Sequence, residues 1–245
     1  MTAEPAVRVA MWSGPRNIST AMMRAWENRP DTVVVDEPFY AAFLARTGLD
    51  HPAREEVIAS QPTDVDEVVA GLRAPLPEGA DVHYAKHMTH HLAPGQDLTW
   101  ALELRNVLLV RDPREVVASY VKSREACEPD DIGLLQQVDL LDRLAGADGP
   151  PPVIDAADFL RDPEGHLRWL CAWLGIDFTD RMLAWPAGPR ESDGVWAPHW
   201  YDAVLASTGF ASHRPRDVDL DDHDAAVAEA CRPAYERLHA LRLRP

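Results

Sequence analysis

Residues 7–23 read VRVAMWSGPRNISTAMM, and this segment gives the strongest indication of the fold. It begins as a short apolar run rich in β-branched residues, which is typical of a buried strand. The run breaks at Ser13, Gly14 and Pro15, where glycine permits a tight turn and proline restricts its own backbone. The hydroxyl residues Ser19 and Thr20 then open an amphipathic helix. A strand, a tight loop and a helix N-terminus in this order favour an anion-binding site, because unpaired amides and the positive helix end point to one place.

The loop differs from the one that binds nucleoside triphosphates. That loop has a glycine, four further residues and then Gly-Lys-Ser/Thr. Here Gly14 is followed after four residues by Ser19 and Thr20 with no lysine, and the only cation is Arg16. Taken alone the motif is weak, so an anion-binding loop and an ordinary strand–turn–helix both stay open.

The rest of the chain alternates predicted strands with predicted helices. This alternation predicts an α/β fold with a mainly parallel sheet. An aromatic, turn-rich segment at 182–213 has no clear period. The further strands are predicted at 32–38, 81–88, 106–110 and 153–155, and the further helices at 39–45, 53–74 (as two short helices), 98–104, 113–121, 131–144, 163–174 and 221–241.

Charged residues follow the predicted strands at the points where they end. Asp36 and Glu37 end the second strand. Lys86 and His87 lie near the end of the third, and Arg111 and Asp112 directly follow the fourth. In open parallel sheets, ligands bind outside the carboxyl ends of the strands. We therefore expect these side chains to converge with the first loop on one functional edge of the sheet.

Composition limits the class of protein. The chain has 245 residues and a formal net charge of −16, which argues against nucleic acid or an anionic membrane as partner. No segment is long and apolar enough to span a bilayer. The three cysteines, Cys127, Cys171 and Cys231, are widely spaced and indicate buried thiols in a reducing compartment. We expect one domain over residues 1–245, located in the cytoplasm.

Two segments together resemble the P-loop sulfotransferases. Residues 13–20 resemble the family's 5′-phosphosulfate loop, and residues 111–119 resemble its 3′-phosphate motif. The resemblance implies a P-loop-containing three-layer fold with helices on both sides of the sheet. It also implies 3′-phosphoadenosine-5′-phosphosulfate (PAPS) as co-substrate and no metal. The implied donor-binding residues are Gly14, Pro15, Arg16, Asn17, Ile18, Ser19, Thr20, Arg111 and Ser119.

The sequence departs from the family pattern in two places. Ile18 stands where the family usually has glycine, so a closer approach of backbone to donor is expected there. The glycine-rich 3′-phosphate segment of the cytosolic animal enzymes has no counterpart, which leaves Arg111 and Ser119 as the main 3′-phosphate contacts. From 196 to 210 the chain resembles bacterial sulfotransferase-like proteins, without assigned chemistry.

Sulfuryl transfer needs a cation on the leaving phosphate and a base for the acceptor hydroxyl. Arg16 and Lys86 are the candidate cations. The resemblance implies Glu37 as the base, because related bacterial carbohydrate sulfotransferases place a catalytic glutamate at the end of this strand. His87 is the alternative base, and the neighbouring His90 and His91 are further options.

Several of these residues also have purely structural interpretations. Arg111 could form a surface ion pair with Asp112 or Glu115, and Lys86 could be inert and exposed. The aromatic residues of the 182–213 segment line a pocket in one interpretation and pack in the core in the other, which is the commoner use of such residues. They are Trp185, Trp196, Trp200, Tyr201 and Phe210.

The predicted function is a PAPS-dependent sulfotransferase acting on a hydroxyl of a small-molecule or carbohydrate acceptor. A small-molecule kinase is the alternative enzyme, which the missing lysine disfavours. A nucleotide-binding homologue without turnover is the third hypothesis. Neither the acceptor nor the oligomeric state follows from the sequence.

Overall fold

The computed structural model describes residues 6–122, 127–146, 149–214 and 218–245. Its centre is a parallel sheet of five strands in the order β2-β3-β1-β4-β5, and every pairing between them is parallel. The strands are β1 Val7–Ser13, β2 Thr32–Asp36, β3 Val82–Met88, β4 Arg105–Val110 and β5 Val153–Asp155. The prediction of an α/β fold with a mainly parallel sheet is confirmed.

The inner strands are apolar because both sides of the sheet are covered by helices. Residues Val107–Val110 of β4 and Ala10–Trp12 of β1 are fully buried, as expected for a parallel sheet between two helical layers. One layer is formed by α1 (Ser19–Glu27), α7 (Ala156–Arg161) and α8 (Pro163–Leu174). The other is formed by α4 (Val65–Arg73), α5 (Pro113–Tyr120), α6 (Leu134–Arg143) and α11 (Asp222–Ala240). The three-layer arrangement is therefore confirmed.

The helices fall close to the predicted positions. Asp64 accepts hydrogen bonds from the amides of Asp66 and Glu67 and so caps the N-terminus of α4. The predicted helix at 131–144 is divided at Gly133, which has a φ of 78°. Pro113 opens α5, as the position of this proline indicated.

Eleven α-helices lie within the described residues: α1 Ser19–Glu27, α2 Tyr40–Thr47, α3 Arg54–Ser60, α4 Val65–Arg73, α5 Pro113–Tyr120, α6 Leu134–Arg143, α7 Ala156–Arg161, α8 Pro163–Leu174, α9 Ala197–Trp200, α10 Asp202–Leu205 and α11 Asp222–Ala240. Short 3₁₀ helices span Thr89–His91, Thr99–Glu103, Pro129–Ile132 and Asp180–Leu183. The sequence did not indicate α7, which Asp155 caps through the amides of Ala157 and Asp158.

A third, smaller apolar cluster lies beside the end of β2. It joins α2 and α3 to the aromatic residues Trp196 and Tyr201 from the turn-rich segment. This cluster brings a distant part of the chain to the carboxyl edge of the sheet. Across the described ranges, no helix is both long and apolar enough to cross a bilayer.

Candidate active site

The connection between β1 and α1 is held in one conformation by close packing and hydrogen bonds. A Cβ on Gly14 would lie 2.1 Å from the carbonyl oxygen of Ile132, so only glycine fits at this position. Asn17 donates from Nδ2 to the carbonyl of Leu109 on β4 at 3.0 Å. Arg16 adopts a φ of 55°, which is uncommon for a residue with a side chain. The packing of Gly14 and the hydrogen bond of Asn17 thus fix the position of the loop relative to β4.

The N-terminus of α1 is open to an anion. Ile18 precedes the helix, and no side chain caps its first amides. These amides and the positive end of the helix dipole favour a negative group. Ile18 has a φ of −87° and packs against the buried cluster under α1, so its backbone has no need of glycine there. Ser19 is buried and Thr20 is half-buried in the first turn.

Two arginines and a serine meet beside this loop. Arg111 donates from Nη1 to the carbonyl oxygen of Arg16 at 2.8 Å, and Arg16 donates from Nε to Ser119 Oγ at 3.1 Å. Burial, reinforced by the charge of Arg111, lowers the pKa of Arg16. The predicted donor-binding residues of β1–α1 and of β4–α5 therefore lie together.

Arg111 also makes the ion pair that its structural interpretation required. Its Nη2 and Nε lie 2.7 and 3.0 Å from Glu115 Oε2 on the next turn. Asp112 instead pairs with Arg232 of α11 at 2.8 Å. The ion pair with Glu115 keeps the Arg111 guanidinium directed at the loop. The ion-pair interpretation and the proposed donor contact are therefore compatible.

Ser119 borders a cavity of about 310 Å³ between the end of α5 and residues 218–224. Its lining includes four carboxylates, from Glu115, Asp219, Asp221 and Asp224, against one ammonium, from Lys122. Carboxylates accept hydrogen bonds and repel anions. This cavity therefore suits the hydroxyl and amino groups of a ligand better than a phosphate.

A buried ionic cluster lies at the end of β2. Lys86 Nζ is 2.8 Å from Asp36 Oδ1, 2.7 Å from Glu37 Oε1 and 2.5 Å from the hydroxyl of Tyr201. Tyr201 also lies 2.6 Å from Asp36 Oδ2. In parallel register Lys86 stands directly beside Asp36, which explains how two separate strands form this cluster.

The backbone of Glu37 is unusual. Its φ is 43°, in the left-handed region that side chains other than those of Asn and Asp rarely occupy. Its amide donates to the carbonyl of Lys86 at 2.9 Å. Gln61 Nε2 donates to the carbonyls of Asp36 and Glu37 at 3.2 and 3.3 Å. These contacts hold the turn that directs the Glu37 side chain.

The environment of Glu37 raises its proton affinity. Burial raises the pKa of this carboxyl, and the charge of Asp36 adds to the effect, while Lys86 opposes both. The second oxygen, Oε2, lies 4.0 Å from His91 Nε2, beyond hydrogen-bond distance. A carboxylate with a raised pKa and an oxygen left available has the properties of a general base.

Lys86 is buried, so the interpretation of this residue as inert and exposed is wrong. Burial by itself lowers its pKa, but Asp36 and Glu37 together raise it above the usual lysine value. An ammonium has three N–H donors, and all three have acceptors here in Asp36, Glu37 and Tyr201. Contact of Lys86 with a leaving oxygen would require one of these hydrogen bonds to break.

The structure places His87 away from the other predicted site residues. Its ring stacks on Trp12 at 4.1 Å and also contacts Phe39 and Trp100. Burial lowers its pKa to about 3, which makes the imidazole a poor base at neutral pH. His87 and Lys86 are adjacent in β3, so they point to opposite faces of the sheet.

Of the other histidines, His91 lies nearer to Glu37. Its ring is stacked on Tyr40 and Phe43 at 4.6 and 4.8 Å. Burial, with several neighbouring cationic groups, holds its pKa well below the usual value. His91 is therefore a neutral neighbour of the Glu37 carboxylate.

Sequence reasoning missed the polar role of Tyr201 and of Gln61. The sequence predicts Tyr201 as a packing or pocket residue, and it does not mark Gln61 as a candidate site residue. Neither residue has a local signal, because their partners Asp36, Glu37 and Lys86 are distant in sequence. The paired acids at the end of β2 were the only local indication of this cluster.

The fold and the two clusters describe an α/β protein with an uncapped helix N-terminus after its first strand and a buried carboxylate at the end of a nearby strand. The sulfotransferase domain family matches residues 7–241. The chain therefore belongs to the sulfotransferase family.

Solved sulfotransferases share the fold. The sulfotransferase domain from the curacin biosynthetic pathway is similar with a TM-score of 0.57 and 17% identity, over 92% of this chain and 97% of that domain. A mouse sulfotransferase solved in complex with PAP is similar with a TM-score of 0.50 and 12% identity, over 96% of this chain and 90% of its own. At these identities the likeness establishes the fold alone.

Two curated relatives come from Arabidopsis thaliana and are named branched-chain-amino-acid aminotransferase-like proteins 1 and 2. The first is 38% identical over 241 residues, 97% of this chain and 42% of its own length. The second is 36% identical over 229 residues, 93% of this chain and 40% of its own length. The chain thus spans about two fifths of the length of these relatives.

Proposed function

We propose that the protein transfers a sulfuryl group from PAPS to a hydroxyl of a small-molecule or carbohydrate acceptor. One observation carries this proposal: Arg16, Arg111 and Ser119 meet beside the uncapped N-terminus of α1. PAPS has anionic groups at its 5′ and 3′ ends, and the two halves of this cluster offer a site for each.

In this proposal the loop binds the 5′ end and α5 binds the 3′ end. The amides of Ser19 and Thr20, with the guanidinium of Arg16, would hold the 5′-phosphosulfate through charge-assisted hydrogen bonds. Arg111 and Ser119 would hold the 3′-phosphate. The cavity beside Ser119 would take uncharged hydroxyl or amino groups of the nucleoside, since its carboxylates are acceptors. The mouse relative in complex with PAP supports this choice of donor.

The transfer itself would use Glu37 and Arg16. The acceptor oxygen attacks sulfur and forms the new S–O bond, while its proton goes to Glu37. The bond between sulfur and the bridging oxygen breaks, and its electron pair stays on the 5′-phosphate of the product 3′-phosphoadenosine-5′-phosphate (PAP). Arg16 and the amides of α1 stabilise this developing charge, and such interactions lower the barrier because they strengthen in the transition state.

The test is a pair of measurements on the intact protein. PAP should raise the unfolding temperature, because a ligand that binds only the folded state stabilises it by mass action, by about 2.7 kcal/mol at 100 times Kd. ATP with magnesium should have little effect, and stronger stabilisation by ATP would favour the kinase instead. Transfer of labelled sulfate from PAPS to a panel of hydroxyl acceptors then separates an enzyme from a homologue that only binds nucleotide.

A further inference from the structure

We propose that Tyr201 and Asp36 are positioning residues that orient Glu37 through Lys86 and set the pH range in which it accepts a proton. The inference rests on the proposed role of Glu37 as the base and names the residues that prepare it. Tyr201 comes from a segment more than 160 positions away in sequence from Asp36 and Glu37. That segment had no chemistry assigned by its sequence.

The direction of each hydrogen bond at Tyr201 follows from its neighbours. The hydroxyl oxygen receives the Lys86 ammonium at 2.5 Å and the indole N–H of Trp196 at 3.1 Å. A hydroxyl has two lone pairs and one proton. With both lone pairs occupied, the proton goes to Asp36 Oδ2 at 2.6 Å rather than to the Glu37 oxygen at 3.5 Å.

The two adjacent carboxylates are therefore unequally satisfied. Asp36 accepts from Lys86 on one oxygen, and from Tyr201 and the amide of Gly194 on the other. Glu37 accepts from Lys86 on Oε1. Within the part of the chain that the structure describes, Glu37 Oε2 accepts no hydrogen bond. The network occupies Asp36 and leaves one Glu37 oxygen for a substrate proton.

Gly194 and Trp196, in the segment that provides Tyr201, support the hydrogen bonds of Tyr201 and Asp36. A Cβ on Gly194 would lie 2.2 Å from the ring of Trp196, so that indole can reach Tyr201 only across a glycine. The same glycine brings its amide to Asp36 Oδ2 at 3.3 Å. Trp196 and Tyr201 are also buried, which fixes both ends of the network.

The charged and titratable groups that face Glu37 act on it in known directions. Lys86 favours its carboxylate form, whereas Asp36 disfavours it. His91 approaches from the 3₁₀ helix after β3 and is held neutral by burial and by Arg46, His51 and His90 around it. Tyr201, whose own pKa is raised well above its usual value by burial, stays protonated and offsets the charge of Asp36.

These directions predict opposite effects for two variants. Tyr201→Phe keeps the ring and removes the hydroxyl, so the charge of Asp36 acts more strongly on Glu37 and favours its protonated form. The acid limb of the kcat profile should move up by about half to one pH unit, the size expected for one lost hydrogen bond. Asp36→Asn removes the like charge, so the acid limb should move down.

A substrate-free measurement separates this inference from the proposed function. The protein is labelled with ¹³C at glutamate side-chain carboxyls, and the Glu37 signal is identified by its loss in Glu37→Gln. Its titration midpoint should move up in Tyr201→Phe and down in Asp36→Asn. If it does so while no sulfate is transferred, the proposed function fails and the inference stands.

The matched control is Tyr235→Phe. The hydroxyl of Tyr235 donates to Asp155 Oδ2, at the end of β5, over 2.9 Å. The variant therefore removes an equivalent tyrosine–aspartate hydrogen bond that lies outside the cluster. It should lower stability without moving the Glu37 midpoint. An unchanged midpoint in Tyr201→Phe, or shifts in the same direction for Tyr201→Phe and Asp36→Asn, overturns the inference. If Asp36→Asn does not fold, the Tyr201→Phe result decides alone.

Discussion

At the scale of single residues, Glu37 offers the most direct test of the chemistry. Glu37→Gln keeps the shape of the side chain and removes the basic oxygen. Single-turnover transfer should fall by about 10²–10⁴-fold, the usual contribution of a general base, while PAP affinity stays unchanged. Rapid-quench measurement with labelled PAPS gives the rate, and transfer at the wild-type rate would mean that another group is the base.

Arg111 distinguishes a donor contact from a structural ion pair. Arg111→Ala should weaken PAP binding by about 2–3 kcal/mol, because a charge-assisted contact to the 3′-phosphate is lost. Adenosine 5′-phosphosulfate lacks that phosphate, so its binding should change much less in the same calorimetric titration.

The control for this variant removes an arginine from an equivalent helix pair. Arg168 pairs with Glu164 four residues earlier at 2.8 Å, on the exposed face of α8. Arg168→Ala should leave both titrations unchanged. Equal losses of PAP and adenosine 5′-phosphosulfate in Arg111→Ala would show that Arg111 acts only by holding the loop.

At the scale of elements, the β1–α1 loop depends on its contact with the 3₁₀ helix Pro129–Ile132. Gly14→Ala would place a methyl group 2.1 Å from the Ile132 carbonyl, so the loop must shift. We expect a stability loss of about 1–3 kcal/mol, typical of overpacking at a buried site, together with weaker PAP binding. Urea unfolding and calorimetry measure the two effects.

Gly71→Ala is the matched control for that substitution. Gly71 lies within α4, and an added methyl group there meets nothing within 4 Å. Because alanine favours a helix over glycine by roughly 0.5–1 kcal/mol, this variant should be slightly more stable. A Gly14→Ala protein with wild-type stability and PAP affinity would contradict the packing argument.

At the scale of the whole molecule, buried neutral histidines make the fold sensitive to acid. Burial lowers the pKa of His87 to about 3 and that of His83 to about 4. In the unfolded chain both return to about 6.5. Below that pH the histidines bind protons in the unfolded state but not in the folded state. Their contribution to the free energy of unfolding is therefore fully present above pH 6.5 and is lost progressively as the pH falls towards the folded pKa values.

His87→Phe tests this effect, since it keeps an aromatic ring beside Trp12 and removes the titration. For His87 alone, the free energy of unfolding should fall by about 2 kcal/mol between pH 7 and pH 5 in the wild type. Between the same pH values, the free energy of unfolding of the variant should fall by about 2 kcal/mol less than that of the wild type. Urea unfolding at both pH values measures the difference. The rise in Glu37 pKa opposes the trend but is common to both proteins. His199→Gln, at an exposed position, is the control for the loss of a histidine side chain.

Much of the fold and half of the candidate site could be predicted from local sequence patterns. Continuous apolar runs separated by helical patterns specify parallel strands, because only a sheet covered on both sides buries such runs. Strand ends then bring Arg16 and Arg111 to one edge, and the helical position of Ser119 places it beside them. These contacts follow from short-range geometry, so they can be predicted from local sequence patterns.

The alternation of side chains along β3 separates Lys86 from His87. Because the two residues are neighbours in a strand, they cannot both face the same side. This alternation places His87 in the layer opposite Lys86. Burial beside Trp12 then accounts for its low pKa.

The surroundings of Glu37 depend on contacts between segments that are distant in sequence. Tyr201 contacts Lys86 and Asp36, and Gln61 contacts the backbone carbonyls of Asp36 and Glu37, from segments with no pattern that links them to β2. Gly194 likewise donates its amide to Asp36 and leaves room for Trp196 only in the folded chain. Such contacts depend on how the third apolar cluster packs against the end of the sheet. Proton affinity depends on burial and on every nearby charge, so the sequence could name Glu37 but only the assembled fold could define its chemistry.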